Sequence, residues 1–168
     1  MGKRKQVLGY FSLVIALGLL FLGGCASDPE KEKPEAPQAK PREIQTDITV
    51  SGEVNPDIDG RPSPIVVRIY ELKNLGKFEV GDFFKLFEEY DAFLGADLVA
   101  SELFHLKPGD KKTVKHPVAA ETNYIAVTAA YRDLNRAVWR AAKPLEAGQS
   151  SRIEVTLDAL SIGIKSIK

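Results

Sequence analysis

Two histidines, one cysteine and scattered carboxylates are the side chains of this 168-residue chain that could do chemistry. A metal site asks for clustered His, Cys or carboxylate ligands. His105 and His116 fall on different predicted strands with no second cysteine nearby, and each reads more simply as a surface or packing residue. Nucleophilic catalysis asks for a Ser, Thr or Cys beside a base, and no Gly-x-Ser-x-Gly stretch occurs. Neither Gly-x-x-x-x-Gly-Lys nor Gly-x-Gly-x-x-Gly is present to cradle phosphate. Glu88-Glu89 reads as solvated helix surface. The densest polar-aromatic cluster is Tyr131-Arg132-Asp133 with Trp139-Arg140. Placed across one hairpin, Arg132 or Arg140 would pair with Asp133 and stack on Trp139, holding the hairpin together. The pattern contains no active site. A non-enzymatic protein is expected, with no metal and no small-molecule substrate.

The lone cysteine offers different chemistry. Cys25 closes Leu22-Gly23-Gly24-Cys25, after an apolar run from Val7 and a basic Lys3-Arg4-Lys5. Basic, apolar and small-residue regions in that order are the parts of a secretory signal peptide. The aliphatic-small-small-Cys ending resembles the lipobox of bacterial lipoproteins, with glycine in both small positions. Two glycines leave the backbone open to a peptidase, and the thiol accepts a diacylglyceryl thioether. The resemblance implies cleavage of residues 1–24. Cys25 then becomes the first mature residue, with S-diacylglycerol on its sulfur and an acyl chain such as palmitate on its amine. Two blander readings compete. Val7 to Gly24 is just long enough for a membrane-spanning helix, which its four glycines oppose. An ordinary buried thiol is opposed by the charged tract that follows. Ala26 stands where an Asp would, in enteric bacteria, resemble an inner-membrane retention signal, so the outer membrane is the expected location.

Without the leader, 20 basic and 23 acidic side chains remain, a net charge of −3. No basic excess points to nucleic acid. One cysteine permits no intrachain disulfide, so stability must come from an apolar core, which the remaining length allows. Residues 25–43 hold the anchor and a tract with four of the ten prolines, alternating charge and no large apolar side chain. Such a segment buries too little to offset its ordering entropy, and an extended linker is expected. At ~3.1 Å per residue, its eighteen residues after Cys25 reach up to about 55 Å.

Residues 44–168 carry the periodicity that must position any site. Ile48, Val50 and Val54 alternate with polar residues as in a half-buried strand. Asn55-Pro56-Asp57-Ile58-Asp59-Gly60-Arg61-Pro62-Ser63-Pro64 is a block of turn formers whose prolines rule out a two-residue hairpin. The β-branched run Ile65 to Leu72 reads as a central strand. Asp82 is a plausible helix N-cap. Phe83, Leu86, Phe87 and Tyr90 then share one face of a single helix that packs on a sheet. Further strands follow over Glu102–Leu106, Lys112–Lys115, Tyr124–Tyr131 and Ala137–Ala142. Lys107-Pro108-Gly109-Asp110 suits a type II turn. Ile153-Val155-Leu157 and Leu160-Ile162-Ile164 alternate, with a slip of frame at Asp158-Ala159 that marks a bulge or tight turn. About seven or eight strands with one short added helix predict a mainly β fold, an antiparallel two-sheet β-sandwich. By itself, Asn55 to Pro64 reads as a surface loop with slack.

An ordered series now carries a family resemblance. It runs Arg68-Ile69-Tyr70-Glu71-Leu72, Phe78, Asp82-Phe83-Phe84-Lys85-Leu86-Phe87 and Leu94-Gly95-Ala96-Asp97-Leu98-Val99. Leu106-Lys107-Pro108-Gly109, Ala129-Ala130-Tyr131-Arg132-Asp133-Leu134, Ala137 and Trp139-Arg140 complete it. Together these resemble TssJ, the outer-membrane lipoprotein family of bacterial type VI secretion systems. The resemblance implies a transthyretin-like sandwich with an extra helix, no enzymatic activity and an outer-membrane anchor facing the periplasm. It implies a partner, the periplasmic C-terminal region of TssM, and through it TssL. The contact would come from the loop between the first two strands, here Asn55, Pro56, Asp57, Ile58, Asp59, Gly60, Arg61 and Pro62. Within it Ile58 and Arg61 are the expected anchors, since interfaces favour large apolar side chains and arginine. Other readings remain. An enzyme of this fold, such as a hydroxyisourate hydrolase, needs a His-Arg constellation and a characteristic C-terminal tetrapeptide, whereas this chain ends Lys165-Ser166-Ile167-Lys168. A pilot lipoprotein or glycan-binding sandwich is the other, and aromatics on a flat sheet face would favour the glycan binder.

Overall fold

A computed structural model describes residues 42–167. The leader, Cys25 and the linker up to residue 41 lie outside the described residues. Eight strands follow in order: β1 (Arg42–Val50), β2 (Ile65–Leu72), β3 (Leu98–Leu106), β4 (Lys111–Val118), β5 (Tyr124–Ala129), β6 (Arg140–Pro144), β7 (Ser151–Leu157) and β8 (Ile162–Ile167). They form two four-stranded sheets, ordered β4-β1-β7-β8 and β3-β2-β5-β6. The expected mainly β sandwich is present, and its ladders are antiparallel with one exception. β1 runs parallel to β7, Ile44 opposite Ser151 and Val50 opposite Leu157. Alternation along a chain marks strands and hairpins but not which distant strand the first one joins.

The period of two does what it predicts. Ile44, Ile48 and Val50 of β1, Ile65 and Val67 of β2, and Ile153, Val155 and Leu157 of β7 point between the sheets, all nearly inaccessible. Each such burial contributes about 1.5–3 kcal/mol. Two boundaries differ from expectation. β1 begins at Arg42 rather than after residue 43, because Arg42 and Glu43 pair with Val118 and Pro117. It also ends at Val50, so Val54 is buried from a loop rather than a strand. The Pro108-Gly109 turn forms as expected, Asp110 N–H donating to Lys107 C=O with Gly109 at φ +82°.

β2 is apolar on both faces because a second core lies outside its sheet. Tyr70, Leu72 and Ala126 pack there against Phe78, Leu86 and Leu94. The single expected helix is in fact three: α1 (Gly76–Val80), α2 (Phe83–Phe87) and α3 (Tyr90–Leu94), followed by a 3₁₀ turn, Gly95–Asp97. Asp82 does cap α2, its carboxylate accepting from Lys85 N–H at 2.9 Å. The helix stops at Glu88, where Glu88 and Glu89 N–H both donate to Phe84 C=O. The break redirects Tyr90, whose ring sits 4.0 Å from the Arg68 guanidinium carbon and 6.1 Å from the Tyr70 ring. Phe83 stays behind, stacked on Phe87 and edge-on to Trp139. α1 escaped the periodicity search because five residues burying one phenylalanine show no stripe.

The expected hairpin forms, β5 pairing antiparallel with β6, but its return strand starts later and its joint is held differently. β6 starts at Arg140, and Val138 instead bridges to Ser161. Asp133 pairs with Arg136 in its own turn rather than with Arg132 or Arg140. Arg140 does stack on Trp139, 4.9 Å from its ring, while donating to the carbonyls of Gly81 (2.7 Å) and Phe78 (3.1 Å). It ties the helical insertion to the sheet.

Candidate functional site

β1 and β2 lie in different sheets, so their connection must cross one end of the sandwich rather than close a hairpin. Three connections meet at that end: residues 51–64, the β5–β6 segment and the β7–β8 turn. Asn55 joins them. It is 3 % exposed and sits at φ +52°, a left-handed backbone that asparagine tolerates better than most side chains. Its N–H donates to Ala159 C=O at 3.0 Å. Its amide nitrogen donates to Pro64 C=O and its amide oxygen accepts from Arg132 N–H, each at 2.8 Å. Ser63 N–H donates to Val54 C=O, closing the base of the loop.

Beyond that base the tip is tied by one carboxylate. Asp57 Oδ1 accepts from the N–H groups of Asp59 and Arg61, each at 2.9 Å. Its Oδ2 takes Arg61 Nε at 2.9 Å, and the same guanidinium reaches Asp59 at 2.8 Å. The hydrogen bonds from Arg61 hold the Asp57 carboxyl below its ordinary value. Gly60, at φ +79°, supplies the reversal. With the tip folded this way, Ile58 is fully exposed, the most exposed large apolar side chain among the described residues.

The eight loop residues singled out in the sequence are thus gathered in one structure, with unequal roles. Asn55 faces inward and builds the loop. Ile58 is displayed. Arg61 is open to solvent yet occupied by Asp57 and Asp59. Reading the sequence missed the residues that flank the loop. A groove of about 550 Å³ lies between Pro56, Asp57 and Ile58 on one side and Arg132, Asp133, Arg136 and Leu160 on the other. The turn formers at Asp133 to Arg136 mark the joint of the β5–β6 hairpin, as expected, but nothing local says that this joint faces the first loop. Tyr131 fixes this second wall, its hydroxyl donating to Ser161 C=O at 2.6 Å. Burial pushes its phenol well above the ordinary value.

The other polar cluster is structural in its contacts. His116 Nε2 lies 2.9 Å from Glu71 Oε1, linking β4 to β2 across the sheets, and Thr122 donates to the other oxygen at 3.0 Å. His105 is exposed on β3. Among the described residues no three His, Cys, Asp or Glu side chains converge as a metal site would need. The one aromatic ring among the most exposed large apolar side chains, Phe84, sits on α2 and not on a sheet face.

Comparison with known proteins places this architecture. No curated protein sequence matches. Among solved structures, the crystal structure of the T6SS lipoprotein TssJ1 from Pseudomonas aeruginosa is 32% identical with a TM-score of 0.74, covering 76% of this chain and 98% of that one. Serratia marcescens Lip, a membrane-bound component of the type VI secretion system, shares the fold at 24% identity and TM-score 0.67, covering 76% and 99%. A chain in the structure described as the T6SS protein TssM C-terminal domain from EAEC is 25% identical with a TM-score of 0.58, covering 73% and 99%. The family model described as type VI secretion lipoprotein, VasD, EvfM, TssJ matches residues 42–160. That span runs from the first residue of β1 into the turn before β8, taking in all three loops at the open end, and the chain therefore belongs to the TssJ family of type VI secretion lipoproteins.

Proposed function

We propose that this protein is the outer-membrane-anchored lipoprotein of a type VI secretion trans-envelope complex. It holds the periplasmic C-terminal region of a TssM-type protein through the loop Asn55 to Pro62, and TssL only indirectly through that partner. The observation that carries the reading is the loop itself. It is pinned at its base by Asn55 and folded so that Ile58 is wholly in solvent. A loop whose backbone is already fixed by Asn55 and Asp57 loses little further backbone freedom on docking. Family membership supports the setting, and the similar chain found in a TssM C-terminal domain structure supports the partner. Cys25 carries the lipid, and at ~0.8 kcal/mol per buried methylene several acyl chains hold firmly. Residues 26–41 then serve as the leash between membrane and sandwich. The protein's task is mechanical, to keep a partner at the membrane where tethering raises the local concentration of sites.

The test is binding of residues 43–168 to the periplasmic C-terminal region of the TssM-type protein from the same organism. A second sample carries Asp57 to Arg61 replaced by Gly-Ser. Loss of binding with the melting temperature kept supports both the partner and the loop. Binding that survives the replacement moves the interface elsewhere, and no binding by the intact domain removes the partner. In cells, Cys25→Ala should leave the membrane fraction.

A further inference from the structure

The loop at the end of the sandwich is one wall of a groove, and the opposite wall comes from the segment after β5. The two carboxylates that line the groove are both occupied, Asp57 by Arg61 and Asp133 by Arg136. Arg132 is different. It is exposed and lines the groove, and among the described residues its guanidinium makes no hydrogen bond or ion pair, although its charge reaches Asp57 and helps hold that carboxyl low. Its backbone is nevertheless fixed, because its N–H donates to Asn55 in the base of the first loop. Pro56, Leu160 and the wholly exposed Ile58 add apolar surface to the same groove, beside the paired charges of Asp57, Asp133 and Arg136.

We propose that the Tyr131–Val138 segment is the second half of the docking surface and that Arg132 selects a carboxylate on the partner. The inference rests on the partner reading above and gives the chemistry that partner must present. Its docking segment carries an Asp or Glu beside a large apolar side chain, the latter lying against Ile58 and Leu160. Arginine suits this task because its planar fork of donors grips a carboxylate by two parallel bonds. It is also among the residues that most often dominate interface energetics. Because Asn55 bonds to both loops, the apolar and cationic halves are held in one arrangement before the partner arrives, which lowers the ordering cost of docking.

The experiment uses residues 25–168 with Cys25→Ser, a chain that keeps the whole sandwich and core, and the same TssM-type region. The variants are Arg132→Glu, Arg132→Lys and the Gly-Ser loop replacement. Arg132→Glu is expected to weaken binding about tenfold or more with an unchanged melting temperature, and Arg132→Lys to restore part of it. Raising salt from about 50 mM to about 500 mM should weaken the parent more than the Arg132→Glu form. Binding by Arg132→Glu within about twofold of the parent, with binding abolished by the loop replacement, overturns this inference and leaves the loop reading standing. Failure of the parent to bind overturns the partner reading and this inference with it. If Arg132→Glu instead abolishes binding to vesicles of anionic phospholipid while sparing the protein complex, the guanidinium reads lipid and the inference is wrong.

Discussion

The side-chain amide of Asn55 bonds across 77 positions of sequence to the backbone N–H of Arg132, at 2.8 Å, while its other end holds Pro64 C=O at the same distance. One buried side chain thereby sets the position of both walls of the groove. Replacing it by alanine leaves a buried donor and a buried acceptor without partners, each costing about 1–3 kcal/mol. Asn55→Ala should thus lower unfolding stability by about 2 kcal/mol or more, measured by denaturant titration at constant slope. Asn55→Gly keeps the left-handed backbone but not the bonds, so it should recover only part of the loss. If the alanine form were as stable as the parent, the pin would have no energetic content.

Ile58 makes the opposite prediction. Its side chain is 100% exposed and buries nothing in the free protein. Ile58→Asp should leave the stability within about 0.5 kcal/mol of the parent. The same change should weaken binding to the TssM-type region sharply, because an apolar anchor would be replaced by a desolvated charge. Calorimetry of folding and of binding on one sample separates the two effects.

Acid sensitivity should trace to β1. Asp47 accepts from Thr113 Oγ1, Arg152 Nε and Gln45 Nε2, at 2.7, 2.7 and 3.0 Å. The hydrogen bond from Thr113 is the largest cause lowering its pKa from 3.8 to about 2, with those from Arg152 and Gln45 adding to it. A depressed folded-state value stabilises the fold above the unfolded-state pKa and loses that contribution as the carboxyl protonates in the native state. The melting temperature should therefore fall progressively between about pH 4 and pH 2. In Asp47→Asn that part of the slope should flatten, with the stability near neutral pH already reduced.

How much of this was written plainly in the sequence depends on the range of the interaction. The alternation through Ile48 and Val50, or through Ile153, Val155 and Leu157, is local, and it marked the strands, though it carried the first one too far, to Val54. The N-cap at Asp82 and the Pro108-Gly109 turn are local too. What escaped was nonlocal. Nothing near Ile44 announces a parallel partner in β7, and nothing near Phe87 announces that a sheet bearing Arg68 and Tyr70 will draw Tyr90 off the helix axis. The same holds at the site. Residues 55–62 were recognisable as an unusual loop and Arg132 as part of a hairpin joint, yet Asn55 looked like another turn former and nothing local tied it to Arg132. Only the folded chain brings the two into contact.

The helical insertion gives a prediction that depends on space rather than on chemistry. Gly81 caps α1 with φ −66°, a backbone any residue adopts, so alanine meets no conformational barrier there. A Cβ at this position would stand 2.7 Å from Phe93 Cε1 and 2.9 Å from Leu86 Cγ, distances that force both to move. Leu86 is wholly buried, and its carbonyl accepts the Tyr70 hydroxyl that fixes the insertion to β2. Overpacking such a site costs about 1–3 kcal/mol. Gly76, the first residue of the same helix, faces open space, and alanine there should be neutral or stabilising by up to about 1 kcal/mol through the unfolded chain. Denaturation of the pair tests whether the insertion is a packed layer or a loose cover. Gly81→Ala should destabilise and Gly76→Ala should not; equal behaviour of the two would mean that the layer yields to the extra methyl.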